Sequence, residues 1–236
     1  MKTVYDIQFK DWKSISVFYK HFKPRLPWHP LDASVNTYFE DWTSQQATRL
    51  KITDNSLRIT ATKKEISFPH YKDGEKTYQY QSAEIVGKKS FQTGRFEVVA
   101  DMNPQVGIVP AIWFLTQTRF VHGDESIKPE WDSHEFGTEH EPILMNIALH
   151  DGLHYPTGRH KSKKFYNLYT GVNLYWTEIE KRWLVSGIND RTLVRFRRPK
   201  GVQRQPMYPI IWSAVPYWGG IEKDHTITIN RIKLDV

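Results

Sequence analysis

A chain of 236 residues with 39% hydrophobic and 14% aromatic side chains, nine of them Trp, is long enough to bury one large core. The absence of cysteine excludes a disulfide framework and thiolate chemistry, and no apolar run approaches the length of a membrane-spanning helix. The formal charge of +7 favours an anionic partner, yet residues 121–141 hold seven Asp/Glu against one Lys, which argues against nucleic acid.

Residues 1–34 mix basic, aromatic and proline side chains, as in Phe22-Lys23-Pro24-Arg25-Leu26-Pro27-Trp28, and are expected to pack on the domain as an irregular opening segment. The first 25 residues lack the apolar stretch of a signal peptide. Alternation then begins. Residues 49–52 and 57–62 flank the turn residues Asp54-Asn55-Ser56 and read as a hairpin-like pair. Residues 78–86 and 94–100 continue with period two, whereas 108–115 is apolar nearly throughout, as a strand covered on both faces is. Further strands are expected at 143–150, 171–176, 182–187, 193–196, 207–215 and 225–234. The last alternates cleanly and is expected to dock on the N-terminal half, closing a sheet edge. About a dozen strands with almost no helical periodicity imply an all-β, antiparallel two-sheet sandwich. No linker, repeat or low-complexity tract interrupts it, so residues 1–236 are expected to form a single domain.

Basic residues concentrate in 156–204, in His160-Lys161-Ser162-Lys163-Lys164 and Arg195-Phe196-Arg197-Arg198. They read either as a solvated face or as attraction to an anionic polymer.

The chemistry concentrates in Pro129-Glu130-Trp131-Asp132-Ser133-His134-Glu135-Phe136. On a strand Glu130 and Asp132 share a face, with Trp131 on the other, while Glu135 at i+5 falls on the wrong side. One bulge residue between Asp132 and Glu135 restores it. Three carboxylates on one face repel one another, so the stretch is either an exposed acidic edge or an array in which one acid stays protonated and another ionised. In the second case Glu130 and Glu135 form the pair that retaining glycoside hydrolysis needs, and Asp132 hydrogen-bonds Glu130 between them. A zinc site is not expected: His134 and His140 do not fall at the helical spacing of the metalloprotease motif, and although His150 and His154 sit four apart, Asp151-Gly152 between them reads as a turn rather than a helix.

Several segments together resemble glycoside hydrolase family 16, the laminarinase, lichenase, agarase and carrageenase group. Glu130-Trp131-Asp132-Ser133-His134-Glu135 fits the bulged form of its Glu-x-Asp-x-x-Glu signature. Gly94-Arg95-Phe96-Glu97-Val98, Val109-Pro110-Ala111-Ile112-Trp113-Phe114-Leu115, Leu174-Tyr175-Trp176-Thr177 and Ile229-Asn230-Arg231-Ile232-Lys233-Leu234 resemble other family segments in the same order, over residues 35–236. The resemblance implies a concanavalin A-like β-jelly roll with a concave substrate cleft. It also implies Glu130 as nucleophile, Glu135 as general acid/base and Asp132 as the assisting carboxylate. Trp113 corresponds to an aromatic lining the cleft, against a reading as core. His150 falls where relatives place a histidine facing the carboxylates, against a structural reading. His134 beside the acid/base is unusual and binds a substituent or tunes Glu135. Trp212 stands where relatives carry a polar residue, and with Tyr217 or Trp218 it builds a different subsite. The segment 117–124 departs from the family's short glycine-rich approach.

The expected activity is a retaining endo-glycosidase that needs no cofactor. Some relatives hold a structural calcium ion, but no oxygen-ligand loop identifies itself here. A β-1,3- or mixed β-1,3/1,4-glucan ranks first as substrate, and a β-galactan such as agar, porphyran or carrageenan second. The alternatives are a glycan-binding protein without catalysis and a transglycosylase. A monomer with a polysaccharide partner, no nucleic acid and no membrane is expected. A polymer substrate implies a secreted or periplasmic setting.

Overall fold

The computed structural model describes all residues except 25, 27–34, 45–46, 54, 71–73, 117–128, 138–143, 152–159, 167–169 and 199–204. In chain order the elements are β1 (Thr3–Ile7), α1 (Trp12–His21), β2 (Phe22–Pro24), β3 (Thr37–Phe39), β4 (Leu50–Thr53), β5 (Ser56–His70), β6 (Gly74–Ser82), β7 (Glu84–Gly87), β8 (Gly94–Asp101), β9 (Val109–Thr116), β10 (Pro129–Phe136), β11 (Leu144–Asp151), β12 (His160–Tyr166), β13 (Val172–Ile179), β14 (Trp183–Ile188), β15 (Arg191–Arg197), β16 (Met207–Ala214) and β17 (His225–Asp235). They form two sheets. One runs β15-β14-β13-β8-β17-β5-β6-β3, with β1 added on β17 and β4 on β5; the other runs β12-β11-β10-β9-β16-β7-β2. Pairing is antiparallel except between β3 and β6. The jelly-roll sandwich expected from the alternation is the observed architecture.

Between the sheets lies one apolar core. Val98, Tyr175, Ile227 and Leu57 enter it from the larger sheet, and Ile112, Phe114, Trp131 and Ile147 from the smaller. Because side chains alternate, the residues between these on the smaller sheet face the other way. That second face carries the site.

Two expectations need correction. Residues 3–24 are not irregular but form a strand, a helix and a strand. The helix is capped by Asp11, whose carboxylate accepts from the Ser14 backbone N–H at 2.8 Å, and it buries Phe18 against Phe9, Phe22 and Trp42. Through β1 and β2 this segment belongs to both sheets. The terminal strand β17 does dock on the N-terminal half, but it lies in the sheet interior between β8 and β5. It also bulges between Ile229 and Arg231, which moves the inward positions from odd to even numbers. Among the described residues no helix is long and apolar enough to cross a membrane.

Candidate active site

The site is built on three neighbouring strands. On β10, Glu130 pairs with Leu115 of β9 and His150 of β11, and Asp132 pairs with Trp113 and Ala148. The register then slips between Asp132 and Glu135, so that Glu135 pairs with Ala111 and Asn146. Leu115, Trp113 and Ala111 share a face of β9, as His150, Ala148 and Asn146 do of β11, so all three carboxylates project from one face. The bulge lies where the i+5 spacing requires it. Trp131, on the opposite face, is fully buried in the core.

The extra residue of the bulge is accommodated by a buried polar clip. Ser133 and His134 both point inward and are fully buried. His134 Nε2 donates to the Gly187 carbonyl at 3.0 Å, which leaves Nδ1 as an acceptor for the Ser133 hydroxyl at 2.9 Å. Ser133 Oγ in turn accepts from the Ser186 hydroxyl at 2.7 Å and bonds Thr177 Oγ1. Burial drives the His134 pKa down to about 3, against the pull of the Gly187 carbonyl. His134 is therefore neutral and does not face the cleft, which corrects its assignment as a substrate-binding residue.

On the carboxylate face, burial pushes Asp132 well above the usual carboxylate range, and the Glu130 charge adds to the shift. His150 Nε2 donates to Asp132 Oδ2 at 2.9 Å and opposes it. The same bond raises His150 to about 9. Glu135 is also raised, by burial first, with Asn146 Nδ2 donating to its Oε2 at 3.2 Å and pulling down, and Glu130 pushing up. Burial and like charge thus favour the protonated forms of Asp132 and Glu135, the direction an acid catalyst needs. Ligand-type atoms of Glu130, Asp132 and His150 lie within 4.8 Å of one another. Within that group His150 Nε2 and Asp132 Oδ2 are hydrogen-bonded to each other at 2.9 Å.

The aromatic residues divide. Trp113 shares the Asp132 row but is only 5% exposed, packed in a cluster with Leu26, Val86, Leu115, Tyr208 and Ile210. Its ring centroid lies 4.8 Å from that of Trp212, which stacks on Phe39 at 5.4 Å and 8°. Trp212, half-buried, pairs with Ala111 and so stands in the Glu135 row. Trp218 is on a separate turn and 46% exposed. Asn146 was not singled out from the sequence; its signal is its alternation with Ala148 and His150 within an otherwise apolar strand. Residues 117–124, His140 and His154 lie outside the described residues.

The basic clusters are partly structural. Arg198 is buried and donates to the carbonyls of Gln92, Glu180 and Gln205 at 2.9–3.1 Å. Arg195 pairs with Glu180 at 3.0 Å and lies over Trp183. Lys161, Lys163 and Lys164 on β12 are exposed, and Lys164 pairs with Asn146, which places it on the carboxylate face.

A family model described as "Glycosyl hydrolases family 16" matches residues 35–234. No curated protein matches in sequence. Among solved structures, the laminarinase catalytic domain from Thermotoga maritima MSB8 is 17% identical with a TM-score of 0.77, over 100% of this chain and 98% of that one. A laminarinase from Flavobacterium sp. UMI-01 is 22% identical with a TM-score of 0.74, over 100% of both chains. A structure from work on endo-acting O-glycanases of the human gut microbiota, which initiate mucin breakdown, is 19% identical with a TM-score of 0.74, over 98% of this chain and 89% of that one. At such identities the likeness is one of fold.

Proposed function

Because the chain belongs to glycosyl hydrolase family 16 and hydrolyses O-glycosyl bonds, we propose that it is a retaining endo-β-glycanase with Glu130 as nucleophile and Glu135 as general acid/base. The bulge carries the reading, since it returns Glu135 to the face of Glu130 and Asp132. In the first step the Glu130 carboxylate attacks the anomeric carbon. The bond to the leaving oxygen breaks as that oxygen takes the Glu135 proton. In the second step Glu135, now ionised, removes a proton from water, which attacks the anomeric carbon and releases Glu130. Asp132 sits between the two and, with His150, orients the array. These steps call on no cofactor.

A β-1,3- or mixed β-1,3/1,4-glucan is the substrate we favour, because two of the structural neighbours described above are laminarinases. An anionic galactan is the second reading, favoured by Lys164 in the Glu135 row. A polymer substrate is met outside the cytoplasm, and we place the enzyme there as a monomer.

Reducing-end release should be measured on laminarin, lichenan, agarose, carrageenan and porphyran, with product anomers followed by NMR. The expected first product keeps the β configuration, and Glu130→Gln removes the activity. Glu135→Gln is expected to lower kcat about 10²–10⁴-fold. An α product, or activity surviving Glu130→Gln, overturns the assignment.

A further inference from the structure

Tyr217 and Trp218 occupy the two central positions of a β-turn closed by Gly219 N–H donating to the Pro216 carbonyl at 3.0 Å. Such positions ordinarily hold Gly, Pro, Asn, Asp or Ser, which satisfy turn geometry at little cost. Here they hold two large aromatic residues, 50% and 46% exposed, and Val106, 38% exposed, precedes Gly107, whose backbone lies against Gly219 and Gly220. Single exposed apolar side chains are ordinary; a cluster of this kind is not. The core beneath is already filled by Val215, Ile108, Tyr80 and Ile221, so the rings are excluded from it.

The turn is also held rigid. A Cβ at Gly219 would collide with the Gly107 carbonyl, and a Cβ at Gly107, whose φ is +83°, would collide with that of Gly220. On the other side Pro216 pairs with Val35, and the Val215 backbone exchanges hydrogen bonds with Thr37 Oγ1 at 2.7 and 3.0 Å. Lys76 Nζ lies 5.0 Å from the Tyr217 ring centroid. Rigid rings lose little conformational entropy when a ligand stacks on them.

The position of the turn selects its occupant. Val35 and Phe39 pack with Ala214 and Trp212, and Trp212 stands in the Glu135 row. The turn therefore continues the rim of the cleft on the β16 side. The C–H faces of a pyranose ring are apolar and match an exposed aromatic face, while its hydroxyl edge stays in water.

We propose that Tyr217 and Trp218 form a stacking site for the glycan chain where it leaves the cleft, so that polymer is held by two separate surfaces. The site rests on the reading of the carboxylate face as a glycan cleft. The test is affinity electrophoresis through gels containing each of the five polysaccharides named above, in a Glu130→Gln background that leaves the polymer intact. The parent should be retarded in the polymer that wild-type enzyme cleaves. Tyr217→Ala/Trp218→Ala should weaken that retardation about tenfold, with unchanged thermal unfolding, and Trp218→Tyr should restore most of it. Equal retardation of parent and double variant overturns the proposal. So does a sedimentation shift from dimer to monomer in the double variant without loss of retardation, which assigns the patch to a second copy of the chain. Failure of the catalytic reading is seen separately, as absence of reducing-end release by the wild type.

Discussion

Asn146 holds one oxygen of Glu135 through a hydrogen bond that favours the ionised form, against burial and the Glu130 charge. Removing it leaves both opposing influences in place, so the Glu135 pKa rises further. Asn146→Ala is expected to move the alkaline limb of the kcat/KM profile upward by about one pH unit; an unmoved limb separates Asn146 from the acid/base. Arg198 illustrates a different role for a polar side chain. Its guanidinium ties three carbonyls together, and Arg198→Ala should cost about 2–4 kcal/mol in urea unfolding. The sequence context of Arg198 left a solvated face and attraction to an anionic polymer as its two readings, because a charge run does not reveal which member turns inward. Asn146 was more legible, since its spacing from His150 on an apolar strand assigns it to the same face.

At the level of the strand, the decisive feature is one inserted residue. The spacing from Glu130 to Glu135 demands a bulge if all three acids are to share a face, and that inference needs only strand periodicity. The same spacing says nothing about where Ser133 and His134 point, because a bulge can send its extra residue either way. Their inward placement depends on Thr177, Ser186 and the Gly187 carbonyl, which lie far off in sequence on β13 and β14. Replacing His134 by Leu leaves the Gly187 carbonyl and the Ser133 hydroxyl short of a partner. A loss of about 2–3 kcal/mol is expected, together with a fall in kcat at temperatures where the variant is folded, since Glu135 follows the bulge. A stable, fully active His134→Leu would show that the clip does not position Glu135. In β17 the apolar residues Ile227, Ile229, Ile232 and Leu234 already carry a three-residue step, which is the visible trace of its bulge. Residues 78–86 read as one strand but divide at Ala83 between β6 and β7, in different sheets; alternation does not report which sheet a strand joins. The short N-terminal helix escaped because its aromatic and β-branched residues are weak helix formers. The Asp11 cap was its one local signal.

Across the whole molecule, the two faces of the smaller sheet treat histidine in opposite ways, and the difference is measurable as a dependence of stability on pH. His134 in the core is held neutral, its pKa near 3 against 6.5 for the ordinary side chain, and burial lowers His225 in the same direction. Between pH 6.5 and 3 the unfolded chain takes up a proton that folded His134 refuses, so its contribution to stability is complete above 6.5 and is lost on acidification. On the cleft face His150 is raised to about 9 by Asp132. Its contribution is complete below 6.5 and is lost as pH rises through 9, where the folded protein must release a proton that the unfolded chain has already given up. Two variants therefore diverge in opposite directions. The gap in melting temperature between wild type and His134→Leu should narrow as pH falls from 6.5 toward 4, whereas that between wild type and His150→Gln should narrow as pH rises from 6.5 through 9. Measuring His134→Leu against wild type isolates its histidine, because Asp132 and Glu135 titrate in both proteins, whereas the His150→Gln gap reports the bonded His150–Asp132 pair as a unit. A gap for His134→Leu that stays constant on acidification would contradict a neutral histidine locked behind the bulge. A constant gap for His150→Gln would sever His150 from Asp132.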